Sequence, residues 1–239
     1  MQSYTDALIR ALETGTRFEP AGPIPTTHAD AWAVQQKVSF RLGPVGGFKI
    51  APPKGDQPPA IAPILASRVF ASGSRHEVND TLGVELEVGF EILQDLPEDG
   101  FPARPEAFFR PRPVIELVDS RIAGPLAADP FVKLSDLGIN HALILGTPIN
   151  GWDGSDFDSV SASMACGDAV LLENDGSVPG GSAIAALRLL YDILGDHCGG
   201  IRAGQTLITG SLHPMTLLPA GTVLRGDIEG LGRVEAHLR

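Results

Sequence analysis

The chain has 239 residues, of which 43% are hydrophobic and 20% charged, so it is a globular chain and not a disordered one. That length suits one domain, or a compact body carrying a small helical cap. A net charge of -11 argues against nucleic acid as a partner, which would call for a basic patch, and disfavours anionic membrane surfaces.

The first residues, Met1 to Asp6, show neither the basic nor the apolar region of a secretory signal. No apolar run approaches the roughly 20 residues that a membrane helix needs. Cys166 and Cys198 make no CxxC motif and no Cys/His cluster, so no zinc site is expected. They read as reduced thiols of a cytoplasmic protein.

Residues 3–14 read as a helix, with Ser3 as its cap, Ala7, Leu8, Ala11 and Leu12 as its apolar stripe, and Gly15 as its end. Residues 28–42 read as a second helix, with Ala31, Val34, Val38 and Leu42 at helical spacing, Trp32 widening the stripe, and Gly43 as the stop. The expected division is a helical cap over residues 1–45 and a β-rich body over 46–239. The two helices form either a cap on that body or part of an oligomer interface. Gly46 to Ala51 is a short strand entered through glycines. Lys49 stands between Phe48 and Ile50, as a lysine snorkelling from a strand edge would. Residues 51–60 are a Pro-rich loop. His76, beyond a turn at Ser72-Gly73-Ser74, reads as a surface residue.

From Gly83 to Ile92 the chain alternates strictly: Val84, Leu86, Val88, Phe90 and Ile92 on one parity, Glu85, Glu87, Gly89 and Glu91 on the other. This predicts a half-buried strand. Glu85 and Glu87 then lie side by side, roughly 6.6 Å apart along it. A solvated outer face is the plain explanation of such a pair. Two features favour a ligand. Gly89 continues the face and admits a close approach. Glu116, between Ile115 and Leu117 in an apolar run, is a charge that would be costly to bury unpaired. One hard cation, Mg²⁺ or Mn²⁺, held by Glu85, Glu87 and Glu116 resolves both the repulsion and the burial.

Residues 97–100 and 101–113 carry turn residues and prolines. Ala142 to Gly146 is almost wholly apolar and predicts a central strand. Just before it, Asn140 and His141 could reach a substrate; His141 is equally a satisfied structural histidine. Residues 158–173 alternate in part and turn at Gly167-Asp168, and Asn174-Asp175-Gly176 is a hairpin signal. Ser182 caps the strongest helix, about 182–195, whose stripe is Ile184, Leu187, Leu190, Tyr191 and Leu194. Residues 206–212 end in Thr209-Gly210-Ser211-Leu212, small and polar enough for close approach to a ligand. Residues 222–229 and 232–238 form a closing hairpin. GxGxxG, P-loop and nucleophile-elbow patterns are absent, which argues against dinucleotide, P-loop and triad chemistry.

Four segments, in this order, carry a resemblance: Gly47-Phe48-Lys49-Ile50, Glu85-Leu86-Glu87, Pro113 to Arg121, and Thr209-Gly210-Ser211-Leu212. Together they resemble the 2-keto-4-pentenoate hydratase and 4-oxalocrotonate decarboxylase group of the fumarylacetoacetate hydrolase superfamily. The resemblance implies an α+β fold: a mixed β-roll body with N-terminal helices and one long late helix. It implies that Lys49 is catalytic and that Glu85, Glu87 and Glu116 bind the metal; Gly210, Ser211 and Leu212 of the matching late segment, with Asn140 and His141, are the residues expected at the substrate. The expected ligand is a small 2-keto acid, and a homo-oligomer is expected. The chain departs from the group's pattern twice. Pro59-Ala60 follows Asp56-Gln57-Pro58 where an acidic residue is usual, and Ile139-Asn140-His141 replaces small residues. Hydration, decarboxylation and acylpyruvate hydrolysis therefore stay open, as does a non-catalytic partner subunit.

Overall fold

The structure is a computed structural model that describes residues 1–53, 55 and 58–239. Helix α1 (Gln2–Thr14) buries Tyr4, Leu8, Ala11 and Leu12 and ends in a left-handed Gly15. It begins one residue earlier than expected, and Ser3 does not cap it: the cap position is Met1, which makes no side-chain bond. Helix α2 (His28–Leu42) opens on a capping box, in which Thr27 accepts the Asp30 N–H and Asp30 accepts the Thr27 N–H. Both helices then enter a β body.

The strands are β1 (Val45–Ala51), β2 (Ala60–Leu65), β3 (Val69–Ala71), β4 (Ser74–His76), β5 (Leu82–Ile92) and β6 (Phe109–Val118). A short helix α3 (Pro130–Ser135) precedes β7 (Asn140–Leu145), β8 (Ser159–Cys166) and β9 (Ala169–Ser177). Helix α4 (Ala183–Leu194) leads to β10 (Thr206–Ser211), β11 (Thr216–Leu218), β12 (Val223–Ile228) and β13 (Gly232–Leu238). The larger sheet runs β2-β1-β10-β5-β6-β7-β3, with β11 continuing β10 along the edge of β5; the smaller runs β4-β13-β12-β8-β9. Pairing is mostly antiparallel. The pairs β1–β10, β3–β7 and β4–β13 are parallel. This is the mixed α+β fold with a curled sheet that the resemblance implied.

The apolar parity of β5 fills the main core. Leu86 and Phe90 pack there with Met164, Leu224 and Val234 of the smaller sheet and with Leu187, Leu190 and Leu194 of α4. Gly226 of β12 comes so near that a Cβ on it would lie 2.5 Å from Leu86 Cδ1. The other parity is covered too, which corrects the half-buried expectation. Inside the curl of the larger sheet, Ile64, Val114, Leu143 and Ile208 form a second, small cluster. A strand buried on both faces cannot leave carboxylates hydrated there, so whatever charge sits inside the curl has to be matched from within.

The N-terminal helices share a third cluster with Leu65, Ile122, Val132 and Leu137 of the body. Three other expectations change. His76 is buried: it bonds Ser74 Oγ at 2.8 Å and meets the edge of Phe70. Asn174-Asp175-Gly176 is no turn but part of β9, where pairing with β8 overrides the local signal and leaves Asn174 at φ 78°. Helix α4, capped by Ser182 as expected, has 12 residues and is shorter than α1 and α2; Ile184 and Tyr191 of its stripe are only half-buried.

Helix α2 and the C-terminal half meet at His197, which stacks on Trp32 with ring centres 4.1 Å apart and bonds Gln35 Oε1 at 2.8 Å. Burial pushes its imidazole down to about 4, so the folded protein holds it neutral. In the unfolded chain it binds a proton near pH 6.5. The folded pKa is the lower one, so this contribution is complete above about pH 6.5 and fades as pH falls through about 4, by about 3 kcal/mol in all. Urea unfolding between pH 7.5 and 4.5 should therefore show falling stability, with a flatter profile for His197→Gln; equal slopes would refute the assignment.

Candidate metal centre

β5 and β6 pair in a register that sets Glu85 directly opposite Glu116, with Glu87 one step along the same face. One oxygen from each of the three carboxyls lies within 4.8 Å of the others. Glu87 and Glu116 are buried and Glu85 is half-buried. Like charges opposite one another destabilise a sheet, so this register needs a cation.

Part of that cation is Lys49. β1 lies two strands from β5, across β10, and the Lys49 ammonium sits 2.5 Å from Glu116 Oε2. It also donates to the Gly138 carbonyl at 3.3 Å. The Asn140 amide donates to Glu116 Oε1 at 2.7 Å, and the Gly210 N–H donates to Glu87 Oε2 at 2.7 Å.

Burial pushes the Glu85 carboxyl up to about 7, against the pull of Lys49 and with the help of Glu116. Glu87 is driven well above the usual carboxylate range by burial first, then by the charges of Glu116 and Glu85. Burial alone would lower Lys49; the three glutamates outweigh it and hold the ammonium charged above its ordinary range. Three carboxylates against one ammonium leave a deficit of two positive charges in a buried site. All the donors are oxygens. The residues present therefore fit a hard divalent ion.

The site opens on a cavity of about 330 Å³ whose lining includes Lys49, Glu85 and Lys133. Its apolar walls are Ala51, Ala60, Ala62, Leu134, Ile139 and Met215. A small organic acid with an apolar middle matches that size and lining.

The structure thus brings together Lys49, Glu85, Glu87, Glu116, Asn140 and Gly210. Ser211 sits opposite Glu87 in register, but its hydroxyl donates to the His213 carbonyl at 2.6 Å. Leu212 is a core residue whose N–H donates to the Leu86 carbonyl. His141 is not brought to the carboxylates: burial and the charges of Arg68, Arg121 and His76 press it down to about 4. Asp56 and Gln57 lie outside the described residues, whereas Pro59 and Ala60, the first departure from the group's pattern, are described, and Ala60 lines the cavity. Sequence reasoning missed Gly138, whose carbonyl receives Lys49. The only local signal was a glycine between two apolar residues. Its φ is 60°, and a Cβ there would lie 3.1 Å from both Lys49 Cδ and Ala62 Cβ.

No family model matches the chain. Over 160 residues it is 32% identical to 2-keto-4-pentenoate hydratase 2 of Dechloromonas aromatica (strain RCB), which covers 64% of this chain and 59% of that protein. Over 130 residues it is 31% identical to 2-keto-4-pentenoate hydratase 1 of the same organism, covering 52% and 47%. The chain thus spans about half the length of the curated relatives it matches. In structure it superposes on 4-oxalocrotonate decarboxylase from Pseudomonas putida G7, complexed with magnesium and adipate, with a TM-score of 0.80 at 18% identity; the match covers 100% of this chain and 98% of that one. Fumarylpyruvate hydrolase from Pseudomonas aeruginosa, in complex with Mn²⁺ and pyruvate, gives 0.54 at 13% identity over 80% of this chain and 88% of that one. At these identities the structural likeness speaks for the fold. Sequence likeness to the two hydratases agrees with the ordered motifs, and the chain shares the curled-sheet fold of 4-oxalocrotonate decarboxylase.

Proposed function

We propose that the chain is a divalent-metal-dependent hydro-lyase that adds water to a 2-hydroxy-dienoate such as 2-hydroxypenta-2,4-dienoate. The observation that carries this reading is the set of three carboxylates, two buried and one half-buried, that shares one lysine beside a mostly apolar cavity. Glu85, Glu87 and Glu116 would hold Mg²⁺ or Mn²⁺. When bound, such an ion supplies Lewis-acid stabilisation of the negative charge that develops on a 2-keto acid when a C3 proton leaves.

The chain's own residues do the rest. Asn140 and Gly210 fix the orientation of Glu116 and Glu87 through single hydrogen bonds. Lys49, held charged by the glutamates, carries a proton to give at Nζ and is poorly suited to take one. The apolar walls receive the hydrocarbon end of the substrate and keep bulk water from it. In balance, the dienol gives up its 2-hydroxyl proton and takes a proton at C5, water adds its oxygen at C4 and gives up one proton, and a proton completes C3, so that the sum is dienol plus one water.

Hydration needs a placed water and its base, and no histidine is among the described residues lining the cavity. Enolisation needs less. At saturating Mg²⁺ the protein should therefore exchange the C3 protons of a 2-keto acid in D₂O, followed by NMR, faster than it consumes 2-hydroxypenta-2,4-dienoate, followed by ultraviolet absorbance. Rapid hydration without excess exchange would show that the cavity supplies the base after all. Absence of both, with metal bound, would favour a partner subunit.

A second reading, decarboxylation of a 4-oxalocrotonate-type diacid, is favoured by one observation. Lys133 lines the same cavity and makes no ion pair with a described residue, so the cavity offers a second cation to the second carboxylate of a diacid. Release of CO₂ from the diacid, with no turnover of the monoacid, would choose it.

A further inference from the structure

We infer that Arg121 and Asp136 are positioning residues for the candidate metal centre, a buried clamp that acts through the turn Leu137–Ile139. The inference rests on reading Glu85, Glu87 and Glu116 as metal ligands.

The turn is unusual. Leu137, Gly138 and Ile139 stand in succession at φ 52°, 60° and 57°, the left-handed region. Glycine enters it at no steric cost; a β-branched residue such as Ile139 does so only where surrounding structure compels it. From the middle of this turn the Gly138 carbonyl accepts the Lys49 ammonium, and from its end the Asn140 side chain donates to Glu116. The backbone conformation of three residues therefore sets where two groups of the metal centre sit.

One guanidinium holds both ends of the turn. Arg121, three residues past β6, is buried, as is Asp136. Its Nε donates to Asp136 Oδ1 at 2.7 Å, and its backbone N–H donates to Asp136 Oδ2 at 2.8 Å. One terminal nitrogen donates to the Asp136 carbonyl at 2.6 Å, just before the turn. The other donates to the Asn140 carbonyl, just after it, and to the Asp119 carbonyl, each at 2.7 Å. The Asp119 N–H in turn donates to the Ile139 carbonyl at 2.9 Å. A buried pair is poor evidence for stability as such, since apolar residues often serve equally well. What apolar residues cannot do is grip two carbonyls four positions apart and hold a strained turn between them. Partners that orient metal ligands in this way commonly change metal affinity by about 10- to 100-fold when removed.

The test is calorimetric titration of the metal-free protein with Mg²⁺, which needs no substrate. Asp136→Asn keeps the shape of the side chain and removes its charge. It should melt cooperatively and bind Mg²⁺ at least about tenfold more weakly. Leu190→Ala, in α4 and in the other core, should lose stability without losing affinity, which separates positioning from general weakening. Ile139→Gly keeps the ion pair intact, fits the positive φ and frees the turn; it too should fold and bind Mg²⁺ more weakly, so it decides the matter if Asp136→Asn does not fold. Wild-type affinity in the folded variants, or a loss of affinity in Leu190→Ala equal to theirs, overturns the clamp alone. A wild-type protein that binds no Mg²⁺ overturns the clamp and the reading of the three glutamates together.

Discussion

Glu87→Gln is expected to abolish Mg²⁺ binding while leaving the metal-free protein as stable as before. The two halves have different causes. In the metal-free protein Glu87 is crowded by Glu85 and Glu116 and buried, which drives its carboxyl toward the neutral form. A glutamine is close to that form in shape and charge. Its carbonyl oxygen can still accept the Gly210 N–H that now reaches Glu87 Oε2. The fold therefore loses nothing it was using. The metal loses an anionic ligand from a site that contains three, and affinity should drop by at least about 100-fold, or roughly 2.7 kcal/mol. Thermal melts with and without Mg²⁺ read both effects at once. Wild-type protein gains about 2.7 kcal/mol when free Mg²⁺ is 100-fold above its dissociation constant, and the variant should gain almost nothing at the same concentration. A variant that keeps the Mg²⁺-dependent rise would remove Glu87 from the site. Turnover should vanish with the metal.

The features legible in the sequence were those that a few neighbouring residues determine. The period of two in β5 placed Glu85 and Glu87 on one face, and the apolar neighbours of Glu116 marked it as a charge needing a partner. Lys49 was legible as a residue on the opposite parity from Phe48 and Ile50, but not its partner, because Glu116 lies 67 positions along the chain. The register that sets Glu85 against Glu116 is likewise a long-range fact. Alternation reports one buried face; that the second face is buried too follows from the curl of the whole sheet, which no window of sequence contains. The same limit explains His76, which reads as surface until β4 is laid beside β13 and Phe70. Asn174-Asp175-Gly176 has the chemistry of a hairpin turn, yet eight residue pairs between β8 and β9 outweigh it. Leu212 belonged to a segment with the right resemblance, but it stands just past β10, beyond a register shift that breaks the alternation, and packs in the main core.

Lys49→Met should lower turnover by about 10²–10⁴ while Mg²⁺ binding survives. Lys49 is bonded to Glu116 and lines the cavity, with 17% of its side chain exposed, so it touches both the carboxylates and the space a substrate would fill. Methionine preserves the length and apolar stem and removes the ammonium. The loss of a positive charge next to three carboxylates deepens the local negative potential, so Mg²⁺ affinity should stay the same or rise. A fall in affinity would mean that Lys49 serves mainly to hold Glu116 in place. The split between kcat and KM then tells which of its two roles matters. A proton delivered from Nζ in the transition state affects kcat and kcat/KM together, whereas a charge that anchors the substrate equally in ground and transition states raises KM alone. Lys49→Arg would be no gentle control, because a planar fork cannot take the place of a compact ammonium 2.5 Å from Glu116 and within reach of the Gly138 carbonyl. Wild-type turnover in Lys49→Met, with Mg²⁺ bound, would return Lys49 to a purely structural counter-charge and pass the proton transfer to Lys133 or Glu85, the other proton carriers on the lining of the cavity.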